Sequence, residues 1–459
     1  MIAKGLPRPV ALTALLLAVV TVSGACAGSS SHAESSTPAA SPSQTQSASP
    51  SVTPTATAAP SATPVVTPPP TVAPGQPWRG LTWSEPVQPD LPWVDVAASI
   101  SQNTVANALP MWTSCQGKIF GLASLFNTQG SVVASSTDWV HWTTLAKGSA
   151  LPFGIEQLLG LACANSSLVL LTVPTDAIGV HVWTSVDGAN WTARDSRAFK
   201  GGTFSGMASG RSGLVVTGSV GSTRASEAVV WFSHDGLAWQ EIRLPGNTRH
   251  DDYGSSVAAF AGGYSVVGQT GVTYPKQGGD AYLPGETAGD AAAWYSADGI
   301  HWKQAAVDGN DKEAGGMDKV YAASGGLMAT GSLSIGGEPP SAAWTSKDGR
   351  QWKLAVDYRN PPADYQPSIP VWMVTGMDGR DNIWSDGQRM VALPYNNEGK
   401  LIAEVSLDGA HWQVLDETGA GLARRPYDDL PDVVVQPSGL IVFGTIGFAP
   451  QVFHVAALP

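Results

Sequence analysis

One pattern, S-x-D-G-x-x-W, recurs through this chain at fixed internal spacing and dictates what it can fold into. Its copies are Ser185/Asp187/Gly188/Trp191, Ser233/Asp235/Gly236/Trp239, Ser296/Asp298/Gly299/Trp302, Ser346/Asp348/Gly349/Trp352 and Ser406/Asp408/Gly409/Trp412. An earlier copy, Ser136/Asp138/Trp142, carries Trp139 where the glycine should be. Such self-similarity marks a repeat architecture, in which each unit buries its apolar faces against its neighbours. Upstream of the copies lie short apolar runs of strand character, such as Gly213 to Gly218 (GLVVTG), Gly263 to Gly268 (GYSVVG) and Gly326 to Gly331 (GLMATG). Each unit therefore holds several short strands. The Asp-Gly dipeptide after a stretch such as Val230 to Ser233 is a tight-turn signal, because glycine takes the positive φ that the turn needs. The carboxylate can accept hydrogen bonds from N–H groups of its own turn, and the tryptophan can pack across it. A catalytic or metal site is usually unique, whereas Asp138, Asp187, Asp235, Asp298, Asp348 and Asp408 recur once per unit. They read as structural turn residues, and the motif tryptophans as packing.

These residues resemble the Asp-box, or BNR repeat, of sialidases, sortilin-type receptors and related propellers, over roughly residues 78–459. The resemblance implies a β-propeller in which each box forms the turn between the third and fourth strands of a blade. After the last box the chain offers strands at Val433 to Val435, Gly439 to Gly444 and Gln451 to Ala456, and no further box. At the other end, Gly80, Leu81, Thr82 and Trp83 repeat the G-x-x-W spacing before any complete unit begins. The simplest reading is an all-β, seven-bladed propeller whose last blade takes its outer strand from the N-terminal segment, a closure that removes the exposed pairing edge of an open ring. Cys115 and Cys163 then fall at equivalent points of blades one and two, just before the second strand of each, and predict a disulfide between neighbouring blades.

The segment before the repeats has a different character. Lys4 and Arg8 precede an apolar run from Val10 to Val22 and then Ser23, Gly24, Ala25 and Cys26. This reads as a secretory signal over residues 1–25. A cysteine directly after small residues resembles the bacterial lipobox, which implies lipid modification of Cys26 and a membrane anchor; Ser23 stands where that family usually has an aliphatic residue. Ordinary cleavage before an incidental cysteine is the alternative. Residues 26–77 are almost wholly Ser, Thr, Pro and Ala up to Gln76 and cannot bury a core, so they read as a disordered linker, a stalk lifting the domain off a surface. Removal of residues 1–25 would move the net charge from −12 to −14. An acidic domain of this kind argues against a nucleic-acid partner, whose phosphates need basic patches.

What breaks a repeat is more informative about function than what obeys it, because insertions gather on one binding face. The 270–290 loop of blade four carries Tyr274 and Tyr282, and links between blades carry Arg249, Asp251, Asp252 and Tyr253, then Arg359, then Arg424, Arg425, Tyr427 and Asp428. In a propeller both loop types emerge around the channel mouth, opposite the Asp-box turns. Arginine forks, tyrosine rings and carboxylates together suit a glycan or a peptide; the alternative is that they are solvated loop residues. Sialidases clamp their substrate with three arginines and use a tyrosine nucleophile, with the first arginine in an F/Y-R-I-P motif. No such motif occurs here, and no arginine lies between Trp83 and Ser136. Phosphate-loop, paired-histidine, Cys/His and G-x-S-x-G patterns are also missing, so the sequence implies neither cofactor nor metal. The expectation is a surface-tethered, non-catalytic module that binds a glycan, a peptide or an envelope protein. A sialidase-like glycoside hydrolase and an envelope assembly factor are the alternatives.

Overall fold

A computed structural model of the chain describes residues 76–92, 111–125, 130–154, 156–174, 179–222, 225–246, 251–272, 289–309, 315–332, 342–357, 383–393, 402–419, 432–446 and 449–459. Its strands form seven sheets, each built on four antiparallel strands, and together they make a seven-bladed β-propeller. Blade one runs Met111–Cys115, Lys118–Leu125, Gly130–Ser136 and Trp142–Lys147. Blades two to six follow over 157–194, 202–243, 251–304, 316–357 and 383–414. Neighbouring first strands touch one another from blade one to blade seven around the axis, with a direct hydrogen bond from Trp112 to Asp432 across the final seam.

Blade seven is assembled from both ends of the domain. Asp432–Gln436, Gly439–Ile446 and Ala449–Leu458 supply three strands, and Gly80–Trp83 adds the fourth, antiparallel to the last, with Gly80 opposite Leu458 and Trp83 opposite Val455. The N-terminal strand is not outermost, however. Asp416–Gly419, arriving from blade six, pairs parallel on its far side and gives this blade a fifth strand. Blade five is likewise extended, by Ala306–Val307 lying parallel to Gln351–Asp357.

The packing explains why the second strands are continuously apolar instead of alternating. Each sheet is covered on both faces, so successive side chains serve opposite interfaces. In blade three, Leu214 and Val216 pack with Val169 and Leu171 of blade two, while Val215 between them packs with Val266 and Trp294 of blade four. Full burial of one such side chain contributes about 1.5–3 kcal/mol. The glycine that ends each run is required as well. A Cβ on Gly218, Gly268 or Gly331 would lie 1.8, 1.8 or 2.0 Å from a first-strand carbonyl oxygen. Each pairs with the residue just before a β-bulge, at Phe204, Gly254 and Met317.

The S-x-D-G-x-x-W turns join third to fourth strands and share one geometry. The serine Oγ accepts from the glycine N–H at 2.8–3.0 Å, with the Trp139 N–H taking that place at 2.9 Å in blade one. Each aspartate Oδ1 accepts from the N–H two residues on, at 2.9–3.0 Å. Each tryptophan Nε1 donates back across the turn, at 2.9–3.3 Å, to the carbonyl at the glycine position. Trp139 holds φ at 68°, a conformation that disfavours a side chain. Its burial against Trp112, Trp142 and Phe443 offsets that strain.

Cys115 and Cys163 form a disulfide between the first strands of blades one and two, with Cα atoms 5.5 Å apart. A disulfide fits an oxidising compartment, extracellular or periplasmic. No helix among the described residues is long and apolar enough to cross a membrane.

Replacing both cysteines by serine removes a crosslink across 48 residues and should lower stability by about 2–4 kcal/mol in denaturant titrations, with the native fold retained. The turns predict an acid limb. The N–H and then the side chain of Asn190 hold the Asp187 carboxyl down at about 2, and His301 holds Asp298 lower in the same way. The unfolded chain therefore takes up protons first, and this stability is present above the ordinary carboxylate range and lost as pH falls through the folded values. Melting temperature should drop between about pH 4 and pH 2, and the Asp187→Asn/Asp298→Asn protein should show a shallower drop; equal slopes would contradict the assignment.

Candidate functional site

The meander order divides the propeller into two faces. The turn face carries the first-to-second hairpins and the six S-x-D turns; the channel face carries the second-to-third loops and the links between blades. On the turn face the repeated carboxylates are engaged by their own main chain, so candidates for binding are sought among residues that depart from the repeat.

Of the residues singled out in the sequence, Asp251, Asp252 and Tyr253 lie at the channel-face end of Asp251–Phe260, the first strand of blade four. Arg249, Tyr274, Tyr282, Arg359, Arg424, Arg425, Tyr427, Asp428 and Cys26 lie outside the described residues. Asp251 is fully buried, and its Oδ1 accepts from the Ser226 N–H at 2.6 Å, which ties blade four to the third strand of blade three. Asp252 is also buried. Its Oδ1 accepts from the Gly271 N–H at 2.8 Å, and a Cβ on Gly246 would meet its Oδ2 at 2.2 Å. Both carboxylates brace the mouth from within, while Tyr253 stands half-buried beside them.

Three further polar groups occupy the channel-face ends of other blades. In blade two, His181 opens the third strand, and its Nδ1 lies 2.9 Å from Glu156 Oε1, just ahead of the first strand. The Thr172 hydroxyl donates to the other Glu156 oxygen and accepts from Trp183 Nε1 at 3.0 Å. This chain fixes the imidazole by one nitrogen and leaves its other edge directed away from the carboxylate, on a side chain that is 44 % exposed. Asp432 opens the first strand of blade seven and accepts from Trp112 of blade one at 3.4 Å and Trp384 of blade six at 3.3 Å. It bridges three blades beside the axis.

Glu404 is the third. Blades two to five share a longer motif than the S-x-D-G-x-x-W core, because a tryptophan stands two residues before the serine: Trp183, Trp231, Trp294 and Trp344. In blades three to five its indole donates into the link from the preceding blade, to Ala198, Pro245 and Asp308 carbonyls at 2.7, 2.6 and 3.0 Å. Blade six carries Glu404 at that position, 6 % exposed, with Oε2 accepting no hydrogen bond from the described residues. Burial pushes its carboxyl up from the usual 4.5 to about 7. A buried acid in place of a tryptophan is visible in the sequence once the longer motif is aligned; the shorter motif hides it.

The sign of the Glu404 contribution follows from its raised value. The folded protein retains the proton after the unfolded chain has released it, so stability from this group is complete below pH 4.5 and is lost as pH rises to about 7. Glu404→Gln should melt with the parent at pH 4–5 and exceed it at pH 8 by up to about 3 kcal/mol. A difference that is the same at both pH values would contradict a buried, protonated carboxyl.

No family of known sequences matches this chain, and no curated protein does. Solved structures similar to it include the Aleuria aurantia lectin in complex with alpha-methyl-L-fucoside, at 13 % identity over 68 % of this chain and 96 % of that one, with a TM-score of 0.37. A Trypanosoma rangeli sialidase in complex with 2,3-difluoro-KDN is 15 % identical, covering 76 % of this chain and 53 % of that one, with a TM-score of 0.34. TolB from Acinetobacter baumannii is 10 % identical over 64 % and 62 % of the two chains, with a TM-score of 0.35.

Proposed function

We propose that this protein is an exported propeller module, tethered through Cys26 and the 26–77 stalk, that binds a glycan on its channel face and performs no chemistry on it. The observation that carries the reading is the His181 unit. An imidazole is held by a largely buried carboxylate, beside a half-buried tryptophan ring, on the face where single-copy polar residues replace the repeat. Sugars present hydroxyls to such oriented donors and acceptors and apolar C–H faces to aromatic rings. Asp251, Asp252 and Asp432 support the mouth by fixing the blades that surround it. The Ser/Thr/Pro/Ala-rich stalk supports display at a distance from the membrane.

The test exposes the full chain to a broad glycan panel that includes sialosides, with retention and cleavage both read by mass. Retention without cleavage is expected, weakened about tenfold in His181→Ala with an unchanged melting temperature. Cleavage of any member would overturn the non-catalytic reading, and silence across the panel would transfer the channel face to a peptide or an envelope protein.

A further inference from the structure

A cleft of about 180 Å³ opens on the turn face between blades four and five. Blade four contributes Phe260, at the end of its first strand, and Tyr295, just before the Ser296 turn. Blade five contributes Ser324 from its first hairpin, and Lys347, Asp348 and Arg350 from its own S-x-D-G turn. The two cations depart from the repeat. Where Lys347 stands, the other copies carry threonine, valine, histidine, alanine or leucine, and where Arg350 stands they carry only aliphatic residues. The same turn is regular in its main chain, so this is a change of chemistry on an unchanged frame.

The cleft is prepared for an anion in three respects. Arg350 lies with its guanidinium carbon 5.2 Å from the centre of the Tyr295 ring, a contact that limits its rotamers and leaves its planar fork of donors at the cleft wall. Its main chain is fixed on both sides, since its N–H donates to Asp348 Oδ1 at 3.0 Å and its carbonyl accepts from the Ala306 N–H at 2.9 Å, in the added fifth strand. Asp348 also lines the cleft, with its Oδ1 held by that bond, so Lys347 and Arg350 set two positive charges against one engaged carboxylate. All this occurs in a chain of net charge −12, where a cationic pair stands out against the background field.

We propose that this cleft binds the anionic substituent, a carboxylate or a sulfate ester, of an acidic saccharide. The Arg350 fork takes two oxygens of the anion and Lys347 adds a point charge. Phe260 and the Tyr295 ring edge offer an apolar wall to the sugar ring, and Ser324 offers a hydroxyl at the rim. The cleft stands on the opposite face from His181 and does not depend on what that face binds.

The experiment titrates the full chain by calorimetry with an oligouronate, a sulfated oligosaccharide and a neutral oligosaccharide of equal length, at low and moderate salt. One of the two acidic probes should bind and weaken with salt, and it identifies the anion. Lys347→Gln and Arg350→Gln should each weaken it, and the double variant by at least about tenfold, with melting temperature unchanged because both side chains are exposed. Equal binding of the acidic probe by the double variant, equal binding of the neutral probe, or no binding of either acidic probe would overturn the assignment. Binding lost in His181→Ala but kept in the double variant would place the saccharide on the channel face, leaving that reading intact and this one refuted.

Discussion

Everything in this propeller depends on the seam where its two ends meet. Gly80–Trp83 is inserted between the last strand and Asp416–Gly419, hydrogen-bonded on both sides, so the first of the described strands becomes interior to the last blade. Trp78, Leu81 and Trp83 are buried there with Val391, Val405, Val442 and Val455, in a core shared by blades six and seven. Arg389, fully buried in blade six, closes over the entering segment. Its guanidinium lies 5.3 Å from the Trp78 ring centre, its Nε donates to the Gln76 carbonyl at 3.2 Å, and it pairs with Asp386 at 3.4 Å. The next seam is sealed by aromatic contact, with Trp112 of blade one stacked on Phe443 of blade seven at 5.1 Å. An open ring would leave an unpaired strand edge and a half-covered core in the same place.

Closure of this kind separates structural from functional duty. Each blade needs a neighbour on both faces, which commits the apolar runs, the bulge-facing glycines and the motif tryptophans to the frame. The turn aspartates are committed as well, since their oxygens answer N–H groups of their own loops. Residues that differ from one blade to the next are therefore free to carry binding: the His181 unit on the channel face, and the Lys347 and Arg350 pair on the turn face.

The short motif and the end segments made the blade number, the swapped strand and the Cys115–Cys163 bridge legible in the sequence, because each rests on spacing along the chain. What escaped was set by depth or by distant pairing. Asp251 and Asp252 look like ligands beside a tyrosine in a linking loop, and only the fold shows them buried under Ser226 and Gly271 amides. Glu404 was readable only through the longer W-x-S motif. The turn-face cleft joins Tyr295 to Arg350 across two blades, a pairing that no local pattern announces. The fifth strands, Ala306–Val307 and Asp416–Gly419, carry no repeat signal and pair only because a neighbouring edge is available.

The central claim is that Gly80–Trp83 is a permanent part of the ring and not a strap laid on it. Native-state hydrogen exchange, resolved to single amides, addresses this directly. If the account is right, the amides of Leu81 and Trp83 exchange only through global unfolding, with the same protection and denaturant dependence as Val442 and Val455 in the adjoining strands. Exchange of those two amides through local opening, orders of magnitude faster than their neighbours, would mean that the ring closes without the N-terminal strand and would contradict the account at its foundation.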